Sequence, residues 1–181
     1  MITLSESVAT DWCARNGLQL RVGRNVSVAF APPLETQTFM ICLDADIEAA
    51  SDTVFSFART PTGKTSSRAF IWLDSCGGFY NAIERLAWDR LLAGYHIDVP
   101  PHRDRIRMGM VFEEAEFQDA IMLLSVIFIV GWRATFVDLE GRFSISTCDK
   151  EWIWFRAASD LTASGFSELL AVYEAKAVNV D

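Results

Sequence analysis

The sequence predicts an α+β fold in which one mostly antiparallel sheet of about seven to nine strands carries four helices. Strand-like segments come in runs and do not alternate singly with helices, which favours this class over a doubly wound fold. The chain has 181 residues, 51% of them hydrophobic, so it can bury a core without disulfides or metal ions. Residues 1–181 contain no evident linker or repeat, and we expect a single domain.

The first elements are predicted to be a helix and a hairpin. Thr3 and Glu6 form a capping-box pattern, and the helix that follows is expected to end at Gly17. The hydrophobic period then changes to two in LQLRV (18–22) and NVSVAFA (25–31), which predict a hairpin.

The next segments predict more of the sheet. TFMICLD (38–44) is strand-like, whereas DIEAASD (46–52) is compatible with a helical turn or a loop. TVFSFAR (53–59) and RAFIWLD (68–74) are rich in aromatic and β-branched residues, so we expect a hairpin with TPTGKTSS at its tip.

The second half of the chain is predicted to contain three helices and four strands, three of which follow one another. The first predicted elements are a helix from Phe79 to Gly94, a strand at 105–112, and a helix that begins with acidic residues and ends at Gly131. A meander of the strands WRATFVD, GRFSIST and EWIWFRA follows, and a helix at 164–177 capped by Ser164 comes last. The apolar run AIMLLSVIFIV is shorter than the ~20 residues that span a bilayer. We therefore expect a buried helix and no membrane segment.

The net charge of −8 comes from 16 basic and 24 acidic residues. Up to Arg90 there are 8 basic and 10 acidic residues, and from Leu91 onward there are 8 and 14. This acidity argues against general binding of nucleic acid or anionic membranes, and it suits a partner with a basic cleft. The four cysteines form no C-x-x-C pair, and MITLSESVATDW does not resemble a signal peptide, so a cytoplasmic location is expected.

The segment ARTPTGKT (58–65) matches a relaxed P-loop pattern. A P-loop needs a strand before the loop and a helix after it, because the helix N-terminus holds the phosphates. The downstream SSRAFIWLD is strand-like, and Pro61 removes one amide donor from the loop. The sequence therefore predicts a turn here, and no nucleotide or other cofactor.

A second candidate site is DSCGGFYNAI, in which a strand runs into a glycine turn and then a helix. Cys76 would lie just before the helix N-terminus, where the helix dipole favours a thiolate. Its base would be His96 or His102, oriented by Asp98 or Asp104. The order of cysteine before histidine is similar to that of papain-like peptidases, which implies a cysteine-dependent hydrolase or transferase. The similarity covers this segment and no further motif, and a structural turn is the simpler interpretation.

The segment HIDVPPHRDRIR contains two further candidate sites. Each histidine precedes an aspartate by two residues, but zinc sites normally need three or four ligands, so we predict no metal. If the segment is a strand, Arg103, Arg105 and Arg107 point to one face and are able to bind a phosphate-bearing anion. The alternative is a solvated face.

EWIWF places Trp152 and Trp154 on one face of a strand, with Phe143 and Ile145 expected opposite them. Such a face belongs to the core or, when partly exposed, to a protein interface. The favoured function is a small protein-binding module, such as an inhibitor, an immunity or antitoxin-like protein, or an anti-defence protein. The alternatives are the cysteine enzyme and the binder of small anions, and the oligomeric state is left open.

Overall fold

The computed structural model describes residues 1–22, 27–31, 36–43, 47–59, 67–75, 107–129, 131–140, 142–147, 152–159 and 166–178, together with Leu86, Arg90, Ala93 and Gly94. Within this part of the chain the helices are α1 (Glu6–Arg15), α2 (Ile47–Arg59), α3 (Phe117–Ile129) and α4 (Ser167–Val172), with a 3-10 turn (Glu114–Glu116) before α3. The strands are β1 (Ile2–Leu4), β2 (Leu18–Arg21), β3 (Ser27–Phe30), β4 (Thr36–Cys42), β5 (Ala69–Ser75), β6 (Met108–Phe112), β7 (Arg133–Asp138), β8 (Phe143–Thr147), β9 (Trp152–Ala158) and β10 (Lys176–Val178).

Eight of these strands form one sheet in the order β1-β6-β5-β7-β8-β9-β4-β10. Every neighbouring pair in it is antiparallel. β2 and β3 form a separate antiparallel ribbon at the predicted hairpin. The predicted α+β fold is therefore confirmed, and so is the meander of β7, β8 and β9.

One face of the sheet carries the main hydrophobic core, on which α2 and α3 pack. Side chains alternate along each strand, so every second residue faces this core. Phe155 is at its centre, with ring centroids 4.4 Å from Phe166, 5.2 Å from Phe57 and 5.8 Å from Phe143. This aromatic group joins β9 to α2, β8 and the residue that precedes α4.

The opposite face carries a second core on the side of the sheet where β6, β5 and β7 lie. Ala9 and Cys13 of α1 pack there with Phe70 and Trp72 of β5. Trp12 stacks on Phe70 with ring centroids 5.2 Å apart. α1 and the β2–β3 ribbon therefore cover one half of this face.

Residues 53–59 are helical, which contradicts the strand predicted from TVFSFAR. α2 buries Ala50, Val54 and Phe57, which follow one another at helical spacing. The aromatic and β-branched residues of TVFSFAR favour a strand locally. The helical spacing of buried residues, however, begins in the preceding DIEAASD, and the longer segment forms a helix. The predicted hairpin is wrong because β5 pairs with β6 and β7 instead.

The two terminal elements also differ from the prediction. Thr3 lies in β1, and Ser5 takes the position before the first helical residue, so the capping box is wrong. The last helix ends at Val172, after which β10 pairs with β4, while Ser164 lies outside the described residues. In both places a short strand pairs with the edge of the sheet and satisfies its backbone hydrogen-bonding groups. The helical sequence pattern gives no sign of this pairing.

Two helix ends agree with the prediction. Gly17 follows α1 and Gly131 follows α3, with φ angles of 72° and 75° that favour glycine. Of the helix predicted from Phe79 to Gly94, the four described residues are helical, and the rest lie outside the described part of the chain.

Candidate functional site

The P-loop pattern has the wrong elements on both sides. Its first two residues, Ala58 and Arg59, end helix α2, and the next described element is strand β5. A phosphate cradle needs the reverse order, with a strand before the loop and a helix after it. The intervening residues 60–66 lie outside the described part of the chain.

The predicted catalytic group cannot be placed in the fold. Cys76, His96 and Asp98 lie outside the described residues, as do the alternatives His102 and Asp104. The structure does bring the strand β5 up to residue 75, directly before the cysteine. Cysteine catalysis therefore stays a prediction.

Arg107 is the described member of the predicted arginine stripe, since Arg103 and Arg105 lie outside the described residues. It immediately precedes β6, and its Nε donates to the Asp74 carbonyl oxygen at 3.3 Å. The same Nε lies 3.3 Å from Asp74 Oδ1, which is an ion pair without hydrogen-bond geometry. A small anion at Arg107 would compete with this carboxylate.

Trp152 and Trp154 lie on the sheet face away from the main core. Trp154 pairs with Ser146, whereas Phe155 pairs with Ile145, so the predicted placement of Ile145 opposite the tryptophans is wrong. Ile145 and Phe143 face the main core instead. Both tryptophans are half-buried and belong to neither core cluster of the described residues.

Arg156 continues this row along β9, and the three side chains form a tryptophan–arginine strip. The Arg156 guanidinium donates from Nε to Thr38 Oγ1 at 3.3 Å. Lys176 of β10 pairs with Met40 of β4, and Met40 in turn pairs with Trp154 of β9. The charges described on this patch are therefore positive, in contrast to the net charge of the chain.

Helix α3 has an apolar outer stripe formed by Met122, Val126 and Ile129. Met122 is 61% exposed and Ile129 is 41% exposed, and they are two helical turns apart. Val126 lies between them and is half-buried. The expectation that AIMLLSVIFIV is wholly buried is therefore wrong for this side of the helix.

Four carboxylates precede or begin α3 and form an acidic cluster: Glu113, Glu114, Glu116 and Asp119. Their position near the helix N-terminus is favourable because the helix dipole stabilises negative charge there. Hydrogen bonds from the Met1 ammonium group and the Glu113 amide lower the pKa of Glu116, although burial raises it. Glu116 is therefore ionised at neutral pH.

A polar cluster that sequence reasoning missed joins β5 to β7. Ser67 Oγ lies 2.5 Å from Asp138 Oδ1 and 2.5 Å from Glu140 Oε2. Arg68 donates to the same Glu140 carboxylate from its backbone N at 2.6 Å and from Nε at 2.9 Å. These residues are about 70 positions apart in sequence, so no local pattern links them.

Two of the cysteines lie in the described part of the chain, and both are free thiols. Cys13 is fully buried, and burial raises its pKa to about 12, whereas Cys42 is exposed. The described residues contain no group of three or more His, Cys, Asp and Glu side chains placed to hold a metal ion. No helix in the described part is long and apolar enough to cross a membrane.

Comparisons with protein-family models, with curated proteins and with solved structures each found no match for this chain.

Proposed function

We propose that this chain is a small protein-binding module whose contact surface is the outer side of α3. The observation that carries the proposal is the apolar outer stripe of Met122, Val126 and Ile129 beside the acidic cluster that begins at Glu113. Apolar centres with polar rims are typical of protein interfaces.

The stripe supplies the apolar part of such a contact. Single exposed apolar residues are common on protein surfaces, but Met122 and Ile129 share one helix face with Val126 between them. Methionine is flexible and polarisable, so it adapts to the surface of a partner. A helix face of this kind fits a groove or another helix on the partner.

The acidic cluster supplies selectivity. Glu113, Glu114 and Asp119 are exposed, and the chain has a net charge of −8. These charges accelerate association with a basic partner and oppose binding of acidic ones. A module that covers a basic cleft with an acidic surface suits an inhibitor, an immunity protein or an anti-defence protein, and its free thiols suit the cytoplasm.

The experiment immobilises the purified chain and captures proteins from a native lysate at low and high salt. The expected result is one stoichiometric partner that is retained at low salt and released by added salt, because exposed charges are screened. Met122→Glu with Ile129→Glu should abolish the capture, since two charges would enter the apolar stripe. Glu113→Lys with Glu114→Lys should weaken it and reduce its dependence on salt.

The matched control is Trp154→Ala, on the other face of the sheet. This variant is expected to keep the partner, because α3 and the tryptophan–arginine strip lie on opposite faces. Loss of capture in Trp154→Ala, together with full capture in the α3 variants, would contradict the proposed surface. All variants need native circular dichroism spectra before the comparison is valid.

A further inference from the structure

Met122 is the most exposed of the five methionines of this chain, all of which lie in its described part. It is 61% exposed, whereas Met110 in β6 has no exposed surface. Met1, Met40 and Met108 are half-buried, and Met1 and Met108 pack against the main core. Solvent therefore reaches the thioether of Met122 more readily than the other four.

A methionine thioether is oxidised by a peroxide that reaches its sulfur. The sulfur attacks one oxygen of hydrogen peroxide, the O–O bond breaks, and the other oxygen leaves as water after a proton transfer. The sulfur loses two electrons and becomes a sulfoxide, while the peroxide is reduced. This change converts a flexible apolar side chain into a polar one, and methionine sulfoxide reductases reverse it.

Met122 lies at the end of the apolar outer stripe that is nearer the acidic cluster. Asp119 comes three residues before it and Val126 four residues after it, so both flank Met122 on the helix surface. A sulfoxide at this position would place a polar oxygen in the apolar part of the contact. Burying such an oxygen without a hydrogen-bond partner opposes binding.

We propose that Met122 is a redox-modification site at which a peroxide makes the stripe polar and so blocks docking at α3. A bound partner would cover Met122, so the oxidation acts on the free protein and prevents its next association. The loss is reversible, because the sulfoxide is reducible by enzymes. The effect on binding rests on the proposed function, whereas the selective oxidation follows from the exposure of Met122 alone.

The first experiment follows the oxidation of each methionine in the intact native protein. Hydrogen peroxide is quenched with catalase at intervals, dithiothreitol reverses sulfenic acid and disulfide formation at the exposed Cys42, and peptides are mapped by mass spectrometry. Met122 should react first, and at least about tenfold faster than Met110, whose sulfur meets peroxide only when the structure opens. Faster oxidation of any other methionine would overturn the proposal.

Hydrophobic-interaction chromatography measures the change of the stripe without any partner. Wild-type protein oxidised at Met122 should elute earlier than untreated protein, and methionine sulfoxide reductase should restore the original elution. Met122→Leu is the matched control, because leucine is apolar and has no oxidisable sulfur. Its elution before and after the same peroxide treatment should be equal. An equal shift in the wild type and in Met122→Leu would overturn the proposal, since the altered surface would then lie elsewhere.

Capture from a native lysate, after removal of the peroxide, tests the effect on binding. Oxidised wild type should retain at least about fivefold less partner than untreated wild type, and the reductase should restore the capture. Met122→Leu should capture equal amounts before and after peroxide, whatever level the substitution itself sets. Undiminished capture by oxidised wild type would overturn the proposal. If untreated wild type captures no partner, the proposed function fails, and the peptide map and the chromatography still decide whether Met122 is the oxidation site of the stripe.

Discussion

Glu174 occupies the same position after helix α4 that Gly131 occupies after helix α3, and both have a positive φ, of 48° and 75° respectively. Each helix ends in the same pair of backbone hydrogen bonds. After α4 they run from Glu174 N to Ala171 O and from Ala175 N to Leu170 O. After α3 they run from Gly131 N to Phe128 O and from Trp132 N to Ile127 O. The last helix therefore ends in a Schellman motif with a glutamate where glycine is preferred.

This relationship predicts that Glu174→Gly stabilises the protein. A residue with a side chain is destabilised by roughly 1–2 kcal/mol in the left-handed conformation, and glycine avoids this cost. Part of the gain in folding free energy is offset because glycine has more conformational freedom in the unfolded chain. We expect the free energy of unfolding to rise by about 0.5–1 kcal/mol, measured by urea unfolding.

Glu174→Ala is the matched control, because it removes the same charge and leaves the backbone strain. The converse change, Gly131→Ala, should lower the free energy of unfolding by about 1 kcal/mol or more. Equal stabilities of the Glu174→Gly and Glu174→Ala variants would contradict the prediction.

Phe155 and Trp154 test the two faces of β9. Phe155 is fully buried among Phe57, Phe143 and Phe166, so Phe155→Ala should lower the free energy of unfolding by about 3–5 kcal/mol. Trp154→Ala removes a larger but half-buried side chain outside both cores, so a smaller loss is expected. A greater loss for Trp154→Ala in urea unfolding would show that the face away from the main core is the more tightly packed one.

The sequence predicted most strands because alternation of apolar and polar residues reports directly which side of a strand is buried. The meander and the β2–β3 hairpin follow from this pattern, and Gly131 marks the end of α3 by its conformational preference. α2 was missed because Val54 and Phe57 are typical of strands, and their helical spacing emerges only from the longer segment.

The polar site of Ser67 and Asp138 could not be predicted from the sequence, since its members meet only when β5 pairs with β7. The outer stripe of α3 was missed for another reason. A helix that is apolar on nearly all sides gives no signal of which apolar residues lack a neighbour. Met122 and Ile129 could be recognised as exposed only once the packing of α3 was known.

Thiol reactivity separates the cysteines and tests the hypothesis of a cysteine enzyme. Burial raises the pKa of Cys13 to about 12, so native Cys13 should resist iodoacetamide at neutral pH and react only after unfolding. Cys42 is exposed and should be labelled in the native protein. Mass spectrometry of timed, quenched samples gives the rate at each cysteine.

An activated nucleophile at Cys76 would react faster than Cys42, because a lowered pKa increases the thiolate fraction. If Cys76 reacts no faster than Cys42, the cysteine hydrolase or transferase hypothesis loses its chemical basis. Rapid labelling of native Cys13 would instead contradict the burial of α1 against β5.

Glu140 should contribute stability that is lost in acid. Burial raises its pKa, but hydrogen bonds from Ser67 and Arg68 and the charge of Arg68 together lower the pKa below its ordinary value of 4.5. For a carboxyl group whose pKa is lowered by folding, the contribution is present above its unfolded pKa and disappears as the pH falls through the folded one. The loss therefore occurs below about pH 4.5.

Glu140→Gln isolates this contribution. At pH 6 the variant should be less stable by at most about 1 kcal/mol, because the Arg68 pair is partly exposed. The difference from the wild type should shrink as the pH falls from 5 to 3, as followed by urea unfolding at each pH. Arg68→Gln, which removes the other partner, should show the same loss of acid sensitivity. A difference that grows toward low pH would mean that folding raises the pKa of Glu140, and would contradict this prediction.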